Sequence, residues 1–270
     1  RPGWQVLESD GSRTRDGMNT ATIRRLLAEK SAARTPFFLA LGFHKPHLPW
    51  TAPKRFFDLY PETGIIPPAE PPMRDIPPIA LQTELSGFAQ PESRAGALRA
   101  YQACISFIDD LLGQVLGELD RRDLTRNTLV VLFSDHGFHL GEHGLWQKTT
   151  LFEESLRVPL LISAPGFAAS AGTRCDALVE HVDLYPTLAD LAGLAEQAPK
   201  NLPGRSLRPL LREPVVAAAG FREFAYSVAG NGGRSIRDAT WRYNRWGDGG
   251  EELYNLATDP RQFTNLASAP

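Results

Sequence analysis

Five of the six histidines fall into two short clusters, His44 and His47, then His136, His139 and His143. The second cluster opens where an apolar run, Thr128 to Phe133, gives way to Ser134-Asp135-His136-Gly137. Open α/β sheets bind ligands just beyond the carboxyl ends of their strands, and a carboxylate beside an imidazole is a donor pair suited to a divalent cation. Asp135 and His136 are therefore read as metal ligands of a hydrolytic site. The competing reading is a turn residue that caps the next element, since Asp is common after strands. Lys148 ends the glycine-broken loop that follows and offers a cation to an anionic substrate. Phe138 and His139, on the same loop, are read as substrate contacts.

The first cluster repeats this layout. The apolar run Phe37 to Leu41 delivers His44 and Lys45 to a loop stiffened by Pro46 and Pro49. Preorganised cations suit a transferring anion, so His44 is a candidate to contact a substrate oxygen or protonate a leaving group, with Lys45 beside it. A structural histidine bonding loop backbone is the alternative, and spacing leaves both open. His139-Leu140-Gly141-Glu142-His143 also matches the inverted zinc-protease pattern H-x-x-E-H, which needs both histidines on one helix face. Gly137, Gly141 and Gly144 argue against that helix, at about 1 kcal/mol per interior glycine relative to alanine. Asp109-Asp110 lies inside a long helical pattern and is assigned no chemistry.

The elements that must position these residues read as α/β first and antiparallel later. Asn19 to Lys30 is patterned as an amphipathic helix leading to a buried strand, Phe37 to Leu41. Lys45 to Pro78 is too rich in proline for regular structure and reads as an ordered surface excursion. From Glu92 to Leu119 apolar residues recur at three and four, which predicts a long helix with one buried face. Leu129 to Phe133 and Val158 to Ser163 resemble strands buried on both faces. Asp183 to Leu194 reads as a helix closed by Gly193. The doubly wound part ends near Leu211. Beyond Pro214, short pieces at Glu223 to Val228, Arg234 to Arg237, Trp241 to Trp246 and Glu252 to Leu256 alternate with the glycine turns Asn231-Gly232-Gly233 and Gly247-Asp248-Gly249-Gly250. The expectation is a doubly wound α/β domain over residues 1–214 and a small antiparallel subdomain over 215–270.

With 270 residues, 42% of them hydrophobic, the chain can bury a real core. A net charge of -2 without a long basic run excludes nucleic acid as the main partner. Two cysteines, Cys104 and Cys175, make no disulfide framework, and Cys104 sits in a helical apolar pattern that favours a buried thiol. No run reaches the ~18 apolar residues of a membrane span, and Arg1 to Asp16 is too polar for a signal sequence. Neither membrane nor export signal is expected in this chain, and its compartment stays open.

Two long motifs, Pro36-Phe37-Phe38-Leu39-Ala40-Leu41-Gly42-Phe43-His44-Lys45-Pro46-His47 and Ser134-Asp135-His136-Gly137 through Lys148, resemble those of the sulfatase family. Val158-Pro159-Leu160, His181 to Leu188, Gly204-Arg205-Ser206-Leu207, Ser235-Ile236-Arg237 and Glu252 to Leu256 extend the likeness over residues 19–266. The resemblance implies an alkaline-phosphatase-like α/β fold and a divalent cation, usually calcium, held partly by Asp135 and His136. It also implies sulfate contacts from His44 and Lys148. Most sulfatases carry Asn after that Asp, so His136 points toward the iduronate-2-sulfatase branch or toward related phosphonate monoester hydrolases. Family members are often periplasmic, secreted or lysosomal.

The departures are equally specific. Sulfatases of this type attack with a formylglycine made within a C/S-x-P-x-R motif, and neither Cys104-Ile-Ser-Phe nor Cys175-Asp-Ala-Leu matches it. Thr51-Ala52-Pro53-Lys54-Arg55 is its only formal relative and is rejected as a nucleophile. The adjacent aspartates that complete the family's metal site are absent, with only the isolated Asp10 and Asp16 upstream of Phe37. The sequence therefore reads as the C-terminal portion of a sulfatase, inactive alone, whose partners would be a complementary N-terminal segment and a sulfate ester, possibly glycosaminoglycan-derived. The alternatives are a phosphonate or phosphodiester hydrolase of the same superfamily and a noncatalytic remnant acting as a binding domain.

Overall fold

A computed structural model describes residues 3–65, 70–81, 91–230 and 232–268, with residues 91 and 92 described in backbone only. Pro67 and Pro68 of the proline-rich stretch and Asn231 of the first glycine turn lie outside the described residues. The chain gathers into two compact units, Arg1–Ala69 with Leu85–Thr128, and Glu70–Glu84 with Leu129–Pro270.

In the first unit β1 (Trp4–Leu7) pairs in parallel with β2 (Trp50–Pro53), Trp4 opposite Trp50 and Leu7 opposite Pro53. Pro53 ends the strand, where its missing N–H costs no ladder bond, and leads into the single turn α2 (Lys54–Phe57). Both elements lie within the stretch expected to be irregular. Proline density excludes helix and strand interiors, but the prolines leave Trp50-Thr51-Ala52 free to pair, and the partner strand is remote in sequence. The helix expected over Asn19 to Lys30 is α1 (Arg15–Ala33), capped by Thr14, whose Oγ1 accepts from the Gly17 N–H at 3.1 Å. Its buried Ile23 and Leu27 belong to a core with Ala97, Ala100, Ala103, Cys104 and Phe107 of α3 (Pro91–Arg121). Small residues there let helix and strands approach closely.

Phe37 to Leu41, expected as a buried strand, forms none. No described strand lies beside it to complete a ladder, and Phe38 is 78% exposed. A strand is defined by its pairing, so apolar composition alone does not make one.

The second unit holds β3 (Val130–Phe133) and β4 (Leu160–Ser163), antiparallel, with Phe133 opposite Leu160. Burial on both faces was expected, yet Phe133 is 49% and Leu161 59% exposed. Single turns α4 (Glu153–Leu156) and α6 (Arg208–Arg212) flank α5 (Leu184–Leu191). The C-terminal meander expected from the turn signals is present as β5 (Ala225–Val228), β6 (Arg234–Arg237), β7 (Trp241–Arg245) and β8 (Glu251–Asn255), in that spatial order. Its apolar core gathers Ala80, Leu145, Leu151, Phe152, Trp246 and Tyr254. The inward positions of β7 and β8 include Arg242, Asn244 and Glu252, all buried. Glu252 accepts from Trp246 Nε1 at 2.6 Å, Asn244 Nδ2 at 3.2 Å and the Tyr254 hydroxyl, which is how a carboxylate is tolerated there.

Candidate functional site

In the first unit the loop carrying His44 and Lys45 is held by one carboxylate. Asp16, in the first turn of α1 and 2% exposed, accepts the His44 N–H at 2.6 Å and the Lys45 N–H at 3.1 Å. Asn19 Nδ2 donates to the Gly42 carbonyl at 3.0 Å and Trp50 Nε1 to the Pro46 carbonyl at 2.8 Å, fixing the loop on both sides. In the sequence Asp16 stands as an isolated carboxylate. The signal that was present is its place just after an N-cap threonine, where a carboxylate is sequestered at a helix start.

His44 is half-buried, its Nδ1 has no hydrogen-bond partner among the described residues, and its ring meets His47 edge-on at 4.9 Å. Burial, helped by the Lys45 charge, lowers its pKa and keeps the ring neutral. Lys45 turns its ammonium onto the carbonyls of His47 (3.1 Å) and Pro49 (2.6 Å). Burial lowers its pKa as well. Two of its three donors are spent on backbone, leaving one for any substrate contact.

In the second unit β3 ends at Phe133 and the next residues form a tight, self-bonded turn. Ser134 Oγ donates to the His136 carbonyl at 2.7 Å, and the His136 N–H reaches Asp135 Oδ1 at 3.1 Å. His136 Nδ1 lies 2.8 Å from the Gly137 carbonyl. A carbonyl only accepts, so Nδ1 carries the proton and Nε2, in the neutral ring, keeps its lone pair. That nitrogen stands 3.5 Å from Asp135 Oδ2, on a carboxylate 82% exposed. A histidine oriented through its other nitrogen, with its free lone pair facing a solvent-open carboxylate, is a donor set that fits a divalent cation.

Gly137 is what allows this turn. Its N–H donates to the Ser155 carbonyl at 2.8 Å, and a Cβ there would stand 1.9 Å from the Glu154 carbonyl oxygen. The loop then returns on itself through His139 N–H to Gln147 O (2.7 Å) and Gly141 N–H to Leu145 O (2.9 Å). Phe138 is half-buried beside it and Lys148, half-buried, closes it. His139 is fully buried, its Nε2 2.8 Å from Thr150 Oγ1. It presents no atom for the substrate contact expected of it, because the hairpin-like return packs its ring into the core. As the glycines require, residues 137–147 form no α-helix, and His143 takes a left-handed φ of 56° inside a single 3-10 turn.

The expected residues thus fall as His44 and Lys45 in the first unit, and Asp135, His136, Phe138, His139 and Lys148 in the second. A cleft of ≈ 280 Å³ lined by Pro186, Asp190, Lys200 and Arg205 contains none of them. The Asp135–His136 pair on the turn after β3 lies outside that cleft, with its carboxylate open to solvent. Among the described residues no helix is long and apolar enough to cross a membrane.

Comparison with known proteins follows this geometry. The sulfatase family model matches residues 8–194, and that for the C-terminal part of N-sulphoglucosamine sulphohydrolase matches 141–270. A sulfatase of Formosa agariphila is 36% identical over 245 residues, covering 87% of this chain and 47% of its own length. A choline-sulfatase of Rhizobium meliloti is 36% identical, covering 88% and 48%, and the mouse iduronate 2-sulfatase 36% identical, covering 66% and 40%. In fold the chain resembles the phosphonate monoester hydrolase of Agrobacterium radiobacter, with a TM-score of 0.81 at 24% identity over 100% of this chain and 60% of that one. The chain spans about half the length of the curated relatives it matches.

Proposed function

The chain belongs to the sulfatase family, and from that premise we propose that it supplies the cation and sulfate-binding groups for hydrolysis of a sulfate ester on a sugar or similar alcohol. The observation that carries this reading is the Asp135–His136 turn, where an oriented imidazole nitrogen and an exposed carboxylate oxygen lie 3.5 Å apart. Asp135 and His136 would hold the divalent cation, calcium by family likeness. A bound cation supplies positive charge against the nonbridging sulfate oxygens.

The chain's own groups do the rest. Lys148 brings a full positive charge to the anion. His44, kept neutral by burial, binds a sulfate oxygen through an N–H without adding charge. Asp16 fixes where His44 stands by holding its backbone. Lys45, beside His44, and Phe138, on the loop after Asp135, are the further proposed substrate contacts. No C/S-x-P-x-R motif occurs in this chain, so the nucleophile is assigned to a complementary segment. The resemblance to the iduronate-2-sulfatase branch suggests a sulfated uronic acid, and a relative of that name is 36% identical over 66% of this chain, as a choline-sulfatase is over 88%.

The test is calorimetry of Ca²⁺ binding to the purified chain with and without sulfate. Binding that Asp135→Ala abolishes supports the reading, and binding untouched by that change refutes it. Supplying the complementary segment and comparing aryl sulfate with aryl phosphonate separates sulfatase from phosphonate hydrolase activity, and no turnover of either favours a noncatalytic binding domain.

A further inference from the structure

Beneath the turn just described, His139, His143 and Glu154 bring one donor atom each to within 4.8 Å of one another, His143 Nδ1 and Glu154 Oε2 being 3.9 Å apart. His139 is 0% exposed and the His143 side chain 0%. His139 Nδ1, both ring nitrogens of His143 and Glu154 Oε2 have no hydrogen-bond partner among the described residues. Orphaned buried polar atoms are costly, so four in one place call for an occupant.

The protonation pattern says what kind. Thr150 Oγ1 donates its only proton to Ser155 Oγ at 2.9 Å, so it accepts from His139 Nε2, 2.8 Å away. In the neutral ring His139 Nδ1 then keeps its lone pair, with the Glu142 backbone carbonyl near the ring favouring added positive charge there. The Glu154 carboxylate is an acceptor too. His143 is clamped between the rings of Phe152 (4.0 Å, 15°) and Phe263 (4.7 Å, 14°), which leaves its nitrogens at the open edges of the stack. The carbonyls of Arg261 and Gln262 favour an N–H on this ring, without hydrogen-bond geometry being reached. The charged groups acting on the cluster are Glu70, Glu142 and Glu153 with the cations Arg261, which is paired to Glu70, and Arg242, which is paired to Glu153.

We propose that His139, His143 and Glu154 form a buried binding site for a zinc-like divalent transition ion, distinct from the Asp135–His136 pair. Two imidazoles and one carboxylate are a common zinc donor set, with a fourth position left to water or a further residue. Calcium, which takes 6–8 oxygens, does not match it. Tetrahedral ligands at Zn–N of about 2.0–2.1 Å stand ~3.4 Å apart, so the His143–Glu154 pair closes by about 0.5 Å and no pair by more than about 1.4 Å around the ion. The Thr150 bond to His139 serves as the orienting contact that a ligating histidine ordinarily has. Its place at the rear of the loop gives the ion a structural part, tying residues 139–143 to α4.

The test unfolds the chain in guanidinium with chelator, refolds it with Zn²⁺, desalts it and counts zinc by mass spectrometry. Asp135→Asn should retain one equivalent per chain, and Co²⁺ in its place should give the intense visible bands of a tetrahedral site. Glu154→Gln or His139→Gln in that background should weaken zinc by more than the ~10–100-fold that losing a supporting group costs, with circular dichroism confirming the fold. Either variant suffices if the other misfolds. No retained zinc in Asp135→Asn, or equal retention in both ligand variants, overturns the site. Neither outcome depends on sulfatase activity, so this site and the proposed function fail separately.

Discussion

Asp16 is a positioning residue: both its oxygens are committed to the backbone of His44 and Lys45. Hydrogen bonds to a charged group are worth about 1.5–3 kcal/mol each. Asp16→Asn, which keeps the shape and loses the charge and one acceptor, should lower unfolding stability by about 1–3 kcal/mol in urea. It should weaken sulfate binding several-fold while Ca²⁺ affinity stays within twofold, read by calorimetry. Equal loss of both would mean that Asp16 supports the fold alone. Cys104 offers a second residue-scale prediction. Burial pushes its thiol up to about 12 from 9.0, while Cys175 is exposed. A thiol reagent at pH 8 should therefore label one cysteine per native chain and two after denaturation. Between pH 9 and 12 the native state keeps a proton that the unfolded chain releases, so this group's stabilisation is whole below pH 9 and declines above it, by up to about 1.4 kcal/mol per pH unit. Urea midpoints for the chain and for Cys104→Ala should diverge with that slope.

At the scale of elements, the turn after β3 works only with glycine at its hinge. A Cβ on Gly137 would lie 1.9 Å from a carbonyl oxygen that belongs to backbone and cannot step aside. Gly144 has a φ of +71° but open space around its Cβ position. Gly144→Ala should therefore cost about 1 kcal/mol of backbone strain, whereas Gly137→Ala should cost about 2 kcal/mol or more through the clash and abolish Ca²⁺ binding at Asp135. Denaturation midpoints with calorimetry on both variants decide this, and equal effects would refute the clash argument. The same turn shows why His139 and His143 meet without a helix. Their approach comes from a left-handed residue at position 143 and two cross-loop hydrogen bonds, a geometry that the H-x-x-E-H spacing does not encode.

At the scale of the whole molecule, apolar side chains stand in solvent where sheet proteins usually cover them. In the second unit Phe133, Leu161, Val182 and Tyr185 are 46–59% exposed. Edge and face exposure of this kind promotes association. The purified chain should self-associate with rising concentration in sedimentation velocity, and Phe133→Ser/Leu161→Ser should shift it toward monomer. A monomer at all concentrations would refute this, and with it the expectation that the surface takes a complementary segment.

The sequence by itself determined the periodic and the punctuated parts. The long α3 pattern, the α1 pattern, the glycine-bounded meander and the loop character of Gly137 to Gly144 all come from local spacing, and the fold shows each of them. The residue types at Asp135, His136, His44 and Lys148 likewise carried the family motif. What only the tertiary structure decided depends on partners distant in the chain. Trp50 to Pro53 is a strand because Trp4 to Leu7 lies beside it, and Phe37 to Leu41 is not, because no described strand does. Asp16 became the clamp of a loop that begins 28 residues later, and His139, His143 and Glu154 converged through a fold-back. Pairing and burial are properties of contacts across the chain, and composition and periodicity report only on neighbours.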